Sequence, residues 1–580
     1  MCLFLAIFVA GVGAAESVPF VPNIVIGFPT VPVISINVEI PAPPDSMRLY
    51  NLTATPAPIE FLNEKLDMLT LPTLSIDMLN LVASSSLGNE ARLRAFIDLS
   101  NGDTEFVPSL AEAVKTPRPM TFFNTDVLTR VPLAAFMDER FIPKDDTELR
   151  VAEPITIFGA ANKLPGAAGQ SGETRTEPMP VMTMVPAMRY AGGFKVYGPG
   201  SHAVVTVSND GLIIGAARRW GTASVGEPIR PSITAEEVRS EILRQLEPMV
   251  ATSGTHADVD LIEIAYYDNN QTLLQPVYHF EATVQPPDAQ FSPYHVSGFV
   301  PLVSSPREPI PSLVSPPKFD LLTLNLLAFG EETPHTADQV ASGITLAGTM
   351  QSGITLGEYV NREWKTDHGY YTMANAFLAG LNSRSWTPRT TRTQYIEAWP
   401  SQVVGPLSKK YMNAVNVAFT VPHGAPYIST TLSNCCDEWD IRQIGTGGNP
   451  GFGAAAGGVL ATWVIASCSV VPAFIDAARD GGNGFDAFTP WWPVFQGLHN
   501  VLSFRTTMWY PEDGFYKAFG NAASGGGDVV AAWFQKIAAY YSDGGSLGCA
   551  FVDARNLGQS IYDVGAQNAS STLWNFWMGN

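Results

Sequence analysis

The spacing of hydrophobic positions changes twice along the chain. Residues 17–180 are rich in Pro, Val and Leu, as in "VPFVPNIVIGFPTVPVISINVEIPAPP", and proline interrupts every run. Proline removes a ladder donor, so this texture predicts extended, partly ordered structure rather than central strands. Two short helices are expected within it, at "IEFLNEKLDML" (59–69) and "SLAEAVK" (109–115). From about residue 190 regular spacing takes over. "FKVYGPGSHAVVTVSNDGLIIGAARRW" reads as strand, turn, strand, and Asn209-Asp210-Gly211 tolerates the positive φ of a hairpin turn. "SITAEEVRSEILRQL" (232–246) places Ile233, Val238, Ile242 and Leu243 largely on one helical face, with Ser232 and Thr234 as candidate N-caps. "DVDLIEIAYYD" and "LLQPVYHFEATV" follow as two more strands. The unit is a small α+β domain, ββ, helix, ββ.

"VPLVSSPREPIPSLVSPPKFD" (300–320) then reads as an extended inter-domain linker carrying Arg307 and Lys318. From about 345 apolar strands, Gly-rich loops and amphipathic helices predict an α/β domain. Two of its strands end on reactive groups. "AVNVAFTVPHG" (414–424) runs into His423-Gly424, and "TWVIASC" (462–468) runs into Ser467-Cys468, forty-five residues after the histidine. Fully apolar strands joined by crossovers imply a parallel sheet covered on both faces, with neighbouring C-terminal ends together. An imidazole beside a thiol supports the thiolate and later protonates a leaving amine. The N–H of Gly424 is a candidate oxyanion donor. "SVVPAFIDAARD" after Cys468 reads as a helix with Pro472 in its first turn, and a helix N-terminus lowers a thiol pKa.

These motifs carry two resemblances. His423-Gly424 and Ser467-Cys468, each closing an apolar strand, resemble the signature of the caspase-like cysteine peptidases, the group of gingipains, clostripain, legumains and metacaspases. The resemblance implies catalytic roles for His423 and Cys468, and an oxyanion hole from the main-chain N–H of Gly424 and Cys468. "SNDGLIIGAARRW", "SITAEEV" and "IAYYDNNQTLLQPVYHF" look like the PepSY-like domains of secreted peptidase propeptides, which implies an inhibitor or chaperone role. "WWPVFQGLHNVLSFRT" resembles a helix and strand of secreted members with such a propiece. Two features depart from the peptidase pattern: the adjacent Cys435-Cys436, and the Gly-rich "GTGGNPGFGAAAGG" in the spacer.

Other residues compete for chemical roles. His368-Gly369 is a second His-Gly pair, but it follows charged residues and reads as a helix opening. His499 is expected to pack at a helix end. Asp437, Glu438 and Asp440 could line a pocket for Arg or Lys, or form a solvated loop. "GTGGNPGFG" lacks the spacing of a phosphate loop, and neither CxxC nor HExxH occurs. No cofactor or metal is expected.

Composition sets the context. Of 580 residues, 46% are hydrophobic and 15% charged, and the net charge is −20. No basic stripe suggests nucleic acid, and no later run of about 18 apolar residues suggests a membrane span. "MCLFLAIFVAGVGAAES" leads through an apolar stretch to small residues, as a signal peptide does, although it lacks a basic n-region. Secretion gives meaning to the sequons at Asn51, Asn270 and Asn568 as glycosylation sites. Cys2 would leave with the signal. Cys435, Cys436, Cys468 and Cys549 remain, and Cys468 is either a free nucleophile or bridged to Cys549 or Cys436.

The expected organisation is therefore a signal at 1–16, a Pro-rich region with propiece character at 17–180, a PepSY-like domain at 181–299, a Pro-rich linker at 300–344 and a caspase-like α/β domain at 345–580. The expected function is that of a secreted, extracellular cysteine endopeptidase acting on peptide or protein substrates. It would be made as a latent precursor held by its own propeptide domain and opened by cleavage at the linker. The alternative is a non-catalytic secreted binding protein on the same fold. A cell-surface structural protein would rest on the Pro-rich half alone.

Overall fold

The computed structural model describes residues 33–87, 92–115, 125–164, 175–250, 256–285, 293–313, 353–360, 369–384, 386–430, 438–479, 481–510, 513–542 and 544–579. They lie in one compact unit, Pro32–Asn580. The segment expected as a signal peptide, Lys318, His368, Asp437 and the Cys435-Cys436 pair lie outside the described residues.

The protein is α/β, built on a large mixed sheet. Its C-terminal part is parallel: Thr391–Glu397, Thr355–Val360, Val417–Val421, Thr462–Ile465 and Asn500–Phe504 lie side by side in that order. Val417–Val421 and Thr462–Ile465 are buried along their whole length. Both faces are covered, as unbroken apolar strands require. One face holds Phe377, Phe419, Tyr516, Phe519 and Trp533 from the strands and from helices Gly369–Leu381, Asp513–Ser524 and Val529–Tyr540. The other holds Trp439, Phe452, Trp463, Phe488, Trp491 and Phe551. Helices Gly369–Leu381 and Asp513–Ser524 touch through Gly380 and Gly520. A Cβ on Gly380 would meet the Lys517 carbonyl at 2.2 Å, and one on Gly520 the Phe377 carbonyl at 2.4 Å.

The sheet does not stop at the C-terminal region. Asn500–Phe504 pairs antiparallel with Gly548–Asp553, which pairs with Thr572–Gly579, which pairs with Ile155–Lys163. From there it continues antiparallel through Thr176–Ala191, Ser201–Ser208, Ile213–Trp220 and Thr104–Phe106. The segment read as Pro-rich and loosely ordered is thus partly central sheet. The prolines fit because the ladder is interrupted where they fall. Pro180 pairs with Phe158 at a register shift. Pro186 sits where the neighbour of Thr176–Ala191 changes from Ile155–Lys163 to Glu148–Val151. Bulges and ladder gaps are where a strand tolerates the missing N–H.

A second sheet holds His256–Asp268, Leu273–Gln285 and Tyr294–Pro301 as an antiparallel meander. Helix Ala235–Val250 buries Val238, Ile242, Leu246, Met249 and Val250 in the same core as Phe280, Val296 and Val300 of the meander. Its N-terminus is a capping box: Thr234 Oγ1 accepts from the Glu237 N–H at 3.3 Å, and the Glu237 carboxylate accepts from the Thr234 N–H at 2.7 Å. The hydroxyl of Ser232, the other candidate cap, accepts from the Ser304 N–H at 3.1 Å instead. The boundary drawn at 181 runs through Thr176–Ala191. Strands from both sides of it pair in the sheet that continues into the C-terminal region, so the 181–299 segment shares sheet and core with its neighbours.

The expected linker also differs in its described part. The N–H groups of Arg307 and Glu308 both donate to Gln275 Oε1, at 2.8 and 3.1 Å. The buried Glu308 carboxylate accepts from the Thr272 N–H at 3.0 Å. The Leu313 N–H donates to Gln245 Oε1 at 3.2 Å, and Arg307 pairs with Glu227. A composition that excludes helix does not exclude side-chain ties, and these strap the segment to the meander and its helix.

A chain beginning at 345 tests this architecture. It would leave the eight-residue strand Thr572–Gly579 without its partner Ile155–Lys163 and would bare apolar edge. We expect it to aggregate where the full chain is monodisperse by size-exclusion chromatography. A soluble fragment that unfolds cooperatively would show that the C-terminal region folds alone.

Candidate functional site

The His and Cys motifs leave the ends of adjacent parallel strands. Val417–Val421 and Thr462–Ile465 pair with Thr420 opposite Ile465, and the Ala466 N–H donates to the Thr420 carbonyl at 2.8 Å. Beyond Pro422 the chain turns into a small three-stranded sheet, His423–Ala425, Ile428–Thr430 and Glu438–Asp440. His423 therefore opens a ribbon rather than closing the core strand. The two motifs pack tightly. A Cβ on Gly424 would meet the Cys468 carbonyl oxygen at 2.2 Å, Val470 Cγ2 at 2.3 Å and Ser467 Oγ at 2.4 Å. Only glycine permits that approach. Two non-glycine residues nearby, Tyr427 (φ 65°) and Ser469 (φ 51°), hold left-handed backbone, a strain often kept at functional sites. The Tyr427 N–H donates to the Val470 carbonyl at 3.1 Å.

Both candidate groups are held neutral. Cys468 is buried, and its Sγ accepts from the Met508 N–H at 3.2 Å. Burial pushes its thiol up to about 11, although that hydrogen bond pulls the other way. His423 keeps some exposure, yet desolvation pushes its pKa down to about 4. The helix expected to start at Cys468 begins only at Phe474 and ends at Arg479, so no helix N-terminus reaches the sulfur. Burial dominates the thiol instead.

A strand from the second sheet covers the site. Tyr294–Pro301 pairs in parallel with Trp509–Tyr510, with His295 opposite Trp509. The Tyr294 ring lies 5.3 Å from the His423 ring at 39°, and His295 stacks on Trp509 at 5.0 Å. Tyr516, whose hydroxyl donates to Met508 Sδ at 3.0 Å, closes the far side. Sequence reasoning missed Tyr294, Met508 and Trp509. One signal was available: Asn500–Phe504 is the next parallel strand, so the residues after it had to lie beside Cys468.

The remaining candidates fall elsewhere. Cys468 and Cys549 are both free, so no bridge joins them. Cys549 lies in the other core and accepts from Asn575 Nδ2 at 3.2 Å. His499 precedes a strand, not a helix end, and its Nε2 is 3.0 Å from the Gly565 carbonyl. Asp440 is occupied by Arg442, at 2.7 to 2.9 Å. Gly369 does open a helix, Gly369–Leu381. Asn51, Asn270 and Asn568 are all exposed. Among the described residues, no group of three His, Cys, Asp or Glu could hold a metal, and no helix is long and apolar enough to cross a membrane.

Residues 366–574, which include both motifs, match a family described as "Domain of unknown function (DUF6345)". No curated protein matches the chain. Among solved structures, the chain is similar to an uncharacterized protein from Eubacterium rectale ATCC 33656, a crystal structure at 1.45 Å resolution. That match has 9% identity, covers 48% of this chain and 91% of that one, and has a TM-score of 0.28, which carries no argument.

The depressed His423 pKa sets a pH dependence. Because the folded chain favours the neutral ring, its contribution is complete above the ordinary value of 6.5 and is lost as pH falls towards about 4. His202, held down to about 3 by burial, acts in the same direction. We expect the melting temperature to fall between pH 7 and 4, and to fall less steeply in His423→Gln. Identical slopes by calorimetry would contradict the placement of His423.

Proposed function

We propose that this chain is a secreted cysteine peptidase-like protein made as a latent precursor, with a caspase-like C-terminal region and a PepSY-like segment at 181–299. The observation that carries the reading is the contact of Gly424 with Ser467 and Cys468, because it brings the His-Gly and Ser-Cys motifs together at the ends of adjacent parallel strands. In the active form the Cys468 thiol would give its proton to His423 and attack a peptide carbonyl. The imidazolium would then protonate the leaving amine, and water would hydrolyse the thioester. The N–H groups of Gly424 and Cys468 are the proposed oxyanion donors.

Latency is supported by electrostatics and by cover. Burial sets the thiol near 11 and the imidazole near 4, so each is neutral at physiological pH, and a neutral thiol is a poor nucleophile. Tyr294 packs on His423, and its strand occupies the edge of Trp509–Tyr510. Moving that strand would admit water and lower the cost of the thiolate–imidazolium pair. Arg307 is an unfavourable opening cut because its backbone is tied down. The same burial favours the second reading, a non-catalytic secreted binding protein on this fold.

The two readings separate in one assay. The purified precursor is incubated with and without limited trypsin and given a mixed peptide library. We expect hydrolysis to rise after cleavage in the wild type and to stay at background in Cys468→Ala and His423→Ala. Tyr294→Ala should raise it without cleavage. Equal hydrolysis by Cys468→Ala would remove the thiol mechanism, and full activity before cleavage would remove latency.

A further inference from the structure

The meander carries a row of polar side chains where an apolar row would be expected. Phe280 and Gly298 lie against each other, and Gly298 against Gln245 of the helix. Strand side chains alternate, so His279, Glu281 and Ser297 face the other way. Glu263 is directly opposite His279, and Ser297 is one diagonal step away on the next strand. His279 Nδ1 is 3.2 Å from Glu263 Oε1, and His279 Nε2 is 2.9 Å from Ser297 Oγ. His279 is buried, while Ser297 and Glu263 retain exposure. The Tyr197 hydroxyl donates to the same Glu263 oxygen at 2.5 Å, and its ring stacks on His279 at 4.0 Å, which fixes the imidazole plane. Glu281 Oε1 lies further off, 3.8 Å from His279 Nε2.

We propose that Ser297, His279 and Glu263 form a second, serine-based acyl-transfer site that takes esters of short acyl groups. A nucleophile bonded to a base, with the base bonded to an orienting carboxylate, is recognised by geometry rather than by order along the chain. Burial would raise the Glu263 pKa, but hydrogen bonds from His279 and Tyr197 outweigh it and leave the carboxylate below its ordinary value. An ionised Glu263 holds the proton of His279 on Nδ1 and leaves Nε2 to accept from Ser297.

The acyl size follows from the space available. Ser297 and His279, but not Glu263, border a cleft walled also by Glu281, Lys195, Tyr197, His202, Trp509 and Tyr540, with a free volume of about 50 Å³. One water-sized group needs ~10–15 Å³, so the cleft accepts an acyl group about the size of acetyl. Ser297 Oγ bonds to the ester carbonyl carbon while its proton moves to His279 Nε2. The carbonyl–alkoxy bond breaks, and the leaving oxygen takes that proton. Water then attacks the acyl-serine, His279 returns a proton to Ser297, and a carboxylic acid leaves. Glu263 is a positioning residue throughout.

The test uses the full-length protein, a biotinylated fluorophosphonate and peptide mapping by mass spectrometry. Mapping separates Ser297 from any adduct at Cys468, so failure here and failure of the thiol reading are distinguishable. We expect the adduct on Ser297, its loss in Ser297→Ala, and labelling at least ~100-fold slower in His279→Gln. Glu263→Gln should shift the pH profile of labelling, which a purely structural carboxylate would not do. p-Nitrophenyl acetate should be hydrolysed and the octanoate should not. An unlabelled Ser297 in protein with the native melting temperature would overturn the proposal, and would make the row a structural hydrogen-bond network. Equal turnover of the octanoate would overturn the short-acyl assignment.

Discussion

The pairing of Thr572–Gly579 with Ile155–Lys163 is the constraint on which the rest of the structure depends. It joins the last strand of the chain to one more than 400 residues earlier, and so fuses a parallel α/β region to an antiparallel one. The join is tight. Gly159 leaves room for the Phe576 ring, which a Cβ would meet at 2.8 Å, and Phe158 stacks on Trp577 at 5.9 Å. Further ties run the same way. The Asp528 carboxylate caps its own helix at Val530 and Ala531 and also accepts from the Leu110 N–H at 2.8 Å. Lys536 pairs with Glu105 in the interior. Breaking one side of such a buried pair typically costs about 3–5 kcal/mol.

Once the two regions share a sheet, the meander at 256–301 is carried to the C-terminal strand ends. Tyr294 then lies on His423 and His295 on Trp509. His423 and Cys468 each lose water there, and burial favours the neutral form of both. The proposed latency therefore needs no separate inhibitor loop, because a strand of the meander itself places Tyr294 on His423.

Local chemistry was legible in the sequence. The turn at Asn209-Asp210-Gly211 joins Ser201–Ser208 to Ile213–Trp220, with Gly211 at φ 79°. The helices at 59 and 235, the two long meander strands and the adjacency of the two apolar strands could all be read from periodicity. What escaped was set by partners distant in sequence. Pro180 and Pro186 read as strand breakers until a register shift and a change of neighbour accommodate them. The segment after Pro301 read as a linker because nothing local shows that Gln275 would hold it. The thiol environment was misjudged for the same reason. Its neighbour Met508 comes from 40 residues downstream, and burial prevails where a helix N-terminus had been expected.

The central proposal is that Cys468 is a catalytic thiol kept neutral by burial, and its ionisation tests this most directly. The rate of Cys468 alkylation by iodoacetamide, located by peptide mapping and followed from pH 4 to 12, gives that ionisation for the intact chain and for the trypsin-opened chain. The account expects an intact-chain midpoint near the value of about 11 set by burial. In the opened chain it expects a midpoint at least about two units lower, as for a thiol paired with an imidazolium, and return towards the free-thiol value in His423→Ala. An opened chain whose midpoint stays where it was, or is indifferent to His423, would contradict it.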